Sequence, residues 1–304
     1  MGKYLVGLDD GHGINTAGKR TVELKEDIKF NGKTRKRGTI IHENEFNEAI
    51  MRKVEPILKR CGIDYVELAP TDSDTALSTR ANTANRKGCD LVVSIHANAL
   101  EGTKWQTGAY GLVVIKTKNC QSKTDKLANI MYKHLKEVDF PSNGETKYGI
   151  RVDTEISGFT LAILRQTKMP ATLIELGFMD NWSDVKVMCT EKFQDECAEG
   201  IAKAICEYLG VTYKKCNSTP SKPKPTNKPS QSNKPKILFQ VKVLCNELNV
   251  RKVADWNAKA ITTVKKNHYL DVVDIVDAKN DKTKMYKLES GLYITSHPKY
   301  VKRV

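Results

Sequence analysis

The stretch YLVGLDDGHGINTAGKRT, residues 4–21, decides how the first two thirds of the chain is read. Its apolar part is short and stops abruptly at Asp9, Asp10, Gly11, His12 and Gly13. That is the pattern of a buried strand delivering polar groups at its carboxyl end. The continuation from Gly13 to Arg20 approaches the phosphate-loop pattern G-x-x-x-x-G-K-[ST]. It fails because Arg20 stands where a hydroxyl must meet Mg²⁺, and because no helical period follows the glycines. His12, not a nucleotide cradle, is the point of the stretch.

Four more segments before residue 213 read as strands: DYVEL (64–68), DLVVSIHA (90–97), YGLVVIK (110–116) and ATLIEL (171–176). Helical stripes alternate with them. Phe46, Ile50, Val54 and Leu58 form one, with Pro56 expected to bend that helix or end it early. Leu127, Ile130, Met131, Leu135 and Val138 form a second; Cys197, Ile201, Ile205 and Leu209 form a third. Alternation of this kind predicts an α/β domain with a mostly parallel, twisted sheet flanked by helices. Sites in such domains gather at the carboxyl ends of the strands.

Residues 214–236, KKCNSTPSKPKPTNKPSQSNKPK, hold seven Lys, no acid and five of the chain's ten prolines. This composition predicts a semi-stiff spacer. Beyond it, FQVKVLC, LNVRKV, YLDVVDIVDA, KMYKLES and LYITSHPKYVKRV are strand-like, with no helical period, which predicts a small all-β barrel. The expected organisation is a catalytic domain over 1–213, a linker over 214–236 and a second domain over 237–304.

Charge is unevenly spread. Of the formal +14, the linker carries +7 and the tail +6, leaving +1 on the first 213 residues. A basic tail suits an anionic partner such as nucleic acid, acidic lipid or a wall polymer. The basic residues lack the interleaved aromatics of a nucleic-acid stacking surface. No run approaches the roughly 18 apolar residues of a membrane span. The N-terminal apolar run is also too short for a secretory leader, so synthesis in the cytoplasm is expected. The eight cysteines form no C-x-x-C pair and are expected to be free thiols, not zinc ligands.

Several strand ends finish in metal-binding side chains. DDGHG delivers His12, SIHAN delivers His96 and LIELG delivers Glu175. IIHENEFNEAI offers Glu43 at a helix start, with His42 and Glu45 beside it. Two neutral imidazoles and one carboxylate make a catalytic zinc set that leaves a position for water. Zinc lowers the pKa of bound water towards about 7, and a second carboxylate can serve as general base and acid. Glu175 lies inside an apolar strand, where a carboxylate is costly unless paired or bound.

In order along the chain, DDGHG, ENEFNEAI, the long stretch LSTRANTANRKGCDLVVSIHANA and MPATLIELGFMDNWSD resemble the motifs of the zinc-dependent N-acetylmuramoyl-L-alanine amidases of the amidase-3 type. The resemblance places metal ligands on His12, Glu43 and His96 and the catalytic acid on Glu175. Asp10 departs from it by standing where proline is usual, and a basic insert over residues 13–42 precedes Glu43. The tail resembles a divergent bacterial SH3-like wall-binding module. Together these resemblances imply a phage-type endolysin. It would cut the amide between N-acetylmuramic acid and L-alanine in peptidoglycan, reach the wall after release from the host, and be attracted by anionic wall polymers. The rival readings are a zinc peptidase acting inside the stem peptide and a binding protein on an inactive scaffold.

Overall fold

The computed structural model describes residues 2–118, 120–141, 149–215, 238–266, 268–279, 283–288 and 291–303. The chain divides into two compact units, Met1–Ser218 and Thr219–Val304. Most of the expected linker lies outside the described residues.

The first unit is a sheet between helices. Its strands are β1 (Leu5–Asp10), β2 (Ile28–Phe30), β3 (Lys33–Arg35), β4 (Asp64–Glu67), β5 (Leu91–Asn98), β6 (Leu112–Lys116), β7 (Gly149–Val152) and β8 (Ala171–Phe178). Its helices are α1 (Glu43–Cys61), α2 (Leu77–Lys87), α3 (Ser122–Leu135), α4 (Asp153–Ser157), α5 (Ala162–Gln166), α6 (Trp182–Met188) and α7 (Glu191–Leu209). Six strands form one sheet in the order β4-β1-β5-β8-β6-β7. Every pairing in it is parallel except β6 with β8, which is antiparallel.

Burial on both faces explains why β1, β5 and β8 read as near-continuous apolar runs. On one face α1, α3 and α7 pack over Leu8, Val93, Val114 and Ile174. On the other, α2 and α5 close over Val92, Val113 and Leu173. All five expected strands of this unit form. The edge strand β7 and the β2–β3 hairpin were not anticipated, although Asn31-Gly32, both at positive φ, is a common two-residue hairpin turn. The hairpin is anchored by Phe30, which is buried against Phe46 of α1 at 4.9 Å between ring centroids.

Helix α1 does not end early at Pro56 but runs on to Cys61, with Gly62 as its left-handed cap. Val54, Ile57, Leu58 and Cys61 on either side are buried in the core. Their burial outweighs the lost backbone hydrogen bond and the ring clash, together about 3 kcal/mol.

The second unit contains β9 (Phe239–Val243), β10 (Glu247–Val250), β11 (Thr262–Lys265), β12 (Tyr269–Asp277), β13 (Lys284–Leu288), β14 (Tyr293–Thr295) and β15 (Val301–Arg303). Five strands pair antiparallel in the order β14-β13-β12-β9-β15, and β10 pairs with β11. Val241, Val243, Leu248, Val250, Val272, Ile294 and Val301 give this unit its own core. It is the separate β-rich region read from the sequence.

Because Pro56 is exposed, Pro56→Ala should restore a helical bond without disturbing the core. Stability to urea should rise by roughly 1–3 kcal/mol. A fall in stability would mean that the ring is held by contacts that matter more than the missing bond.

Candidate active site

β1, β5 and β8 lie side by side, so their carboxyl ends meet at one edge of the sheet. β1 stops at Asp10 and the chain turns through Gly11, His12 and Gly13. The Gly11 amide donates to the Ile95 carbonyl at 3.0 Å, which fixes the turn to β5. A Cβ on Gly11 would sit 2.0 Å from Cε1 of His96, and one on Gly13 would sit 2.1 Å from the Asp74 nitrogen. Both glycines of the motif are therefore required by close approach. His12 between them has φ of 66°, a region that non-glycine residues seldom occupy.

Glu43 is the first residue of α1 and is 1% exposed. Its Oε1 lies 2.9 Å from His96 Nδ1 and also accepts from the Ala97 amide at 3.3 Å. Its Oε2 lies 3.5 Å from His12 Nε2 and has no hydrogen-bond partner. The two imidazoles meet edge to face, with centroids 5.0 Å apart. One ligand atom from each of His12, Glu43 and His96 lies within 4.8 Å of the others. The neighbours of Glu43 do other work. His42 stands at the N-cap position of the helix, and Glu45 binds the Arg35 guanidinium and the His42 amide.

Electrostatics follow from burial. Desolvation pushes His12 down to about 4, so its imidazole is neutral near pH 7. Burial opposes charge on Glu43 and His96 as well, but their mutual hydrogen bond prevails, holding Glu43 below and His96 above its ordinary range. Glu175 is paired in register with His96 across β5 and β8. Its Oε2 is buried without a partner. Desolvation pushes its carboxyl up to about 7, with His96 acting to lower it and Glu43 to raise it.

These residues fit a metal ion. The donor set is two nitrogens and a carboxylate, the unpartnered Glu43 oxygen faces His12, and His12 is neutral as a ligand must be. Glu175 stands next to the set.

Residues that the sequence reading passed over hold the site in place. Lys19, from the basic insert, brings Nζ to 3.7 Å from Glu43 Oε2, and its carbonyl accepts the Glu43 amide at 2.9 Å. Asn47 donates to the Gly11 carbonyl at 3.0 Å, and Asn44 reaches the Asp10 carbonyl at 3.2 Å. Asp9 is buried between Arg80 Nη1 at 2.7 Å and Ser94 Oγ at 2.5 Å. Asp180 Oδ2 takes three consecutive amides, Leu100, Glu101 and Gly102, and so shapes the loop after β5. The quoted motifs already contained Asn47, Arg80, Ser94 and Asp180, but spacing alone did not show what they would bind. The remaining histidines are elsewhere: His134 pairs with Glu207 at 2.7 Å, and His268 and His297 are exposed in the second unit.

A profile of the Amidase_3 family, described as N-acetylmuramoyl-L-alanine amidase, matches residues 6–207. The chain belongs to the Amidase_3 family. Membership makes it an N-acetylmuramoyl-L-alanine amidase, a peptidoglycan hydrolase. It is 35% identical over 303 residues to an endolysin of Bacillus phage SPP1, covering 98% of this chain and 97% of that one. It is 31% identical over 143 residues to the N-acetylmuramoyl-L-alanine amidase CwlM of Bacillus licheniformis, 47% of this chain and 49% of that one. Among solved structures it is similar to the catalytic domain of CwlV, an N-acetylmuramoyl-L-alanine amidase of Bacillus (Paenibacillus) polymyxa. There the TM-score is 0.52 and the identity 28%, over 69% of this chain and 99% of that one. An N-acetylmuramoyl-L-alanine amidase from Clostridium difficile 630 gives a TM-score of 0.53 at 25% identity, over 69% and 98%.

Gly11→Ala tests the close approach at the amidase site. The new methyl would overlap the His96 ring, so the variant should fold by circular dichroism yet lose wall-lysis activity by at least about 100-fold. Activity within a few-fold of wild type would mean that the ring can move aside without consequence.

Proposed function

We propose that the chain is a zinc-dependent endolysin that cuts the amide between the lactyl group of N-acetylmuramic acid and L-alanine. Family membership and the full-length similarity to a phage endolysin support the reaction class. The observation that carries the metal reading is the buried Glu43 carboxylate between two imidazoles, one of its oxygens unpartnered. His12, Glu43 and His96 would hold the ion. Zinc bound there supplies Lewis-acid polarisation of the scissile carbonyl and a water of lowered pKa.

Glu175 is the general base and acid. Its carboxylate takes a proton from the attacking water as the carbon–oxygen bond forms. As the carbon–nitrogen bond breaks, it returns that proton to the alanine nitrogen, so that no free amide anion leaves. Burial raises its proton affinity and the charge of a bound cation would lower it again, so the carboxylate can both take the proton and give it back. Its position in the buried strand β8, in register with His96, sets it beside the cluster.

The second unit is read as an SH3-like wall-binding module, joined through a Lys- and Pro-rich linker over 214–236. Its independent core supports folding as a separate domain over 237–304, and its positive charge supports attraction to anionic wall polymers. Among the described residues no helix is long and apolar enough to cross a membrane.

Two experiments test this reading. Chelation should abolish lysis and Zn²⁺ should restore it, while Glu175→Gln keeps its zinc but loses roughly 10² to 10⁴ in rate. In the wild type the acid limb of kcat/KM should fall below pH 7, because the charge of a bound cation pulls the Glu175 carboxyl down from about 7. Digested walls should show new N-terminal alanine; termini inside the stem peptide would support the peptidase reading instead. In the second experiment, a fluorescent fusion of residues 237–304 should decorate susceptible walls, weakened but not abolished by high salt. Failure on every wall that the full chain lyses would remove the targeting role.

A further inference from the structure

One buried charge near the site is not among its proposed ligands. Arg80 of α2 is 1% exposed, and all three of its guanidinium nitrogens donate hydrogen bonds. Nη1 donates to Asp9 Oδ1 at 2.7 Å, Nε to the Thr75 carbonyl at 2.7 Å, and Nη2 to both the His12 carbonyl at 2.8 Å and Asp74 Oδ1 at 2.9 Å. One planar fork therefore ties the end of β1, the His12 turn and the segment before α2 together.

Electrostatics alone disfavours this placement. A buried guanidinium behind a cation site weakens cation binding unless it is neutralised and offers something in return. Asp9 and Asp74 neutralise it. What it offers is the conformation of His12, whose φ of 66° must be held by surrounding bonds. The turn is pinned to the segment before α2 by further contacts. The Ile14 amide donates to the Asp72 carbonyl at 2.8 Å, the Asp74 amide to Asn15 Oδ1 at 2.8 Å, and Thr16 Oγ1 to Asp74 Oδ2 at 2.8 Å. Arg80 is where these bonds meet the carbonyl of His12 itself. A lysine has one point donor on a flexible stem and cannot span the same four acceptors.

We propose that Arg80 is the positioning residue of the metal centre. It acts through the main chain of His12, with Asp74 as its second arm, and so sets the affinity for the ion without touching ion or substrate. This rests on the reading of His12, Glu43 and His96 as a metal site.

The test uses the full chain. Zn²⁺ affinity is measured by competition with a chromophoric chelator, and ligand geometry by the visible absorption of the Co²⁺-loaded protein. Arg80→Lys should weaken zinc about 10–100-fold, as loss of an outer partner of a ligand does, and change the cobalt spectrum. Asp74→Ala keeps the Arg80–Asp9 pair and removes one partly exposed arm; it should weaken zinc by roughly 3–10-fold. Ile205→Val, a core change distant in sequence, serves as the control for lost stability and should leave zinc affinity and spectrum unchanged. The proposal is overturned if Arg80→Lys binds zinc within about twofold of wild type with the same cobalt spectrum, or if Ile205→Val reproduces the loss. Should Arg80→Lys fail to fold, Asp74→Ala decides on the same two readouts. Wild-type protein that binds neither ion overturns the metal reading first, and this proposal with it.

Discussion

A carboxylate that is almost wholly buried has to be compensated, and Glu43 is that carboxylate. An isolated ion in such surroundings would take up a proton instead of keeping its charge. Three things keep it ionised. It opens α1, where the helix end favours negative charge. Its Oε1 takes a proton-bearing partner from His96 and the Ala97 amide. Its Oε2 looks towards His12 and the ammonium of Lys19. The compensation is incomplete: Oε2 keeps no hydrogen-bond partner, and that residual demand for positive charge is what the proposed metal ion would meet.

Meeting that demand fixes the architecture around it. Two histidines reach one oxygen pair from different strands, which adjacent parallel strands ending at the same edge arrange directly. β1 and β5 do so, and β8 adds Glu175 beside His96 in register. The antiparallel β6 beyond β8 does not disturb this edge, since it runs back from the loop shaped by Asp180. Gly11 lets the His96 ring lie against the chain, and Asn47, one turn along α1 from Glu43, holds the Gly11 carbonyl. The helix that supplies the carboxylate thus also positions the turn that supplies the first imidazole.

Much of this was legible because period and burial coincide. Buried strands such as LVVSIHAN announce themselves by unbroken apolar runs, and a polar residue at their ends is conspicuous. The hairpin at Ile28–Arg35 escaped notice because its strands are three residues each and mostly polar; only Asn31-Gly32 and the buried Phe30 mark it. Pro56 misled because propensity is local, whereas Ile57 and Leu58 are held by tertiary burial. In the final motif, Asn181 and Asp184 are conspicuous letters with structural jobs. Asn181 caps α6, and Asp184 binds the Gly111 and Phe178 amides at 2.9 Å each. Pattern alone could not separate these from Glu175. Register did: Glu175 lies opposite His96 on the neighbouring strand, whereas Asp184 is spent on two amides.

Two cations flank the site, and their difference has chemical meaning. Arg80 is buried, planar and bonded at every arm, so an arriving metal ion cannot displace it; its charge is balanced by Asp9 and Asp74. Lys19 lies on the solvent side, 46% exposed, and contacts only the edge of Glu43 Oε2 at 3.7 Å. A flexible ammonium in that position can withdraw into water when a stronger cation takes the same oxygen. Its backbone cannot withdraw, because the Lys19 carbonyl holds the Glu43 amide and the insert behind it is anchored by Phe30, Arg35 and the Glu23 carbonyl bonded to Trp105. The insert therefore contributes two separable things to the site: a fixed main-chain bond that seats the start of α1, and a solvent-side positive charge beside the carboxylate.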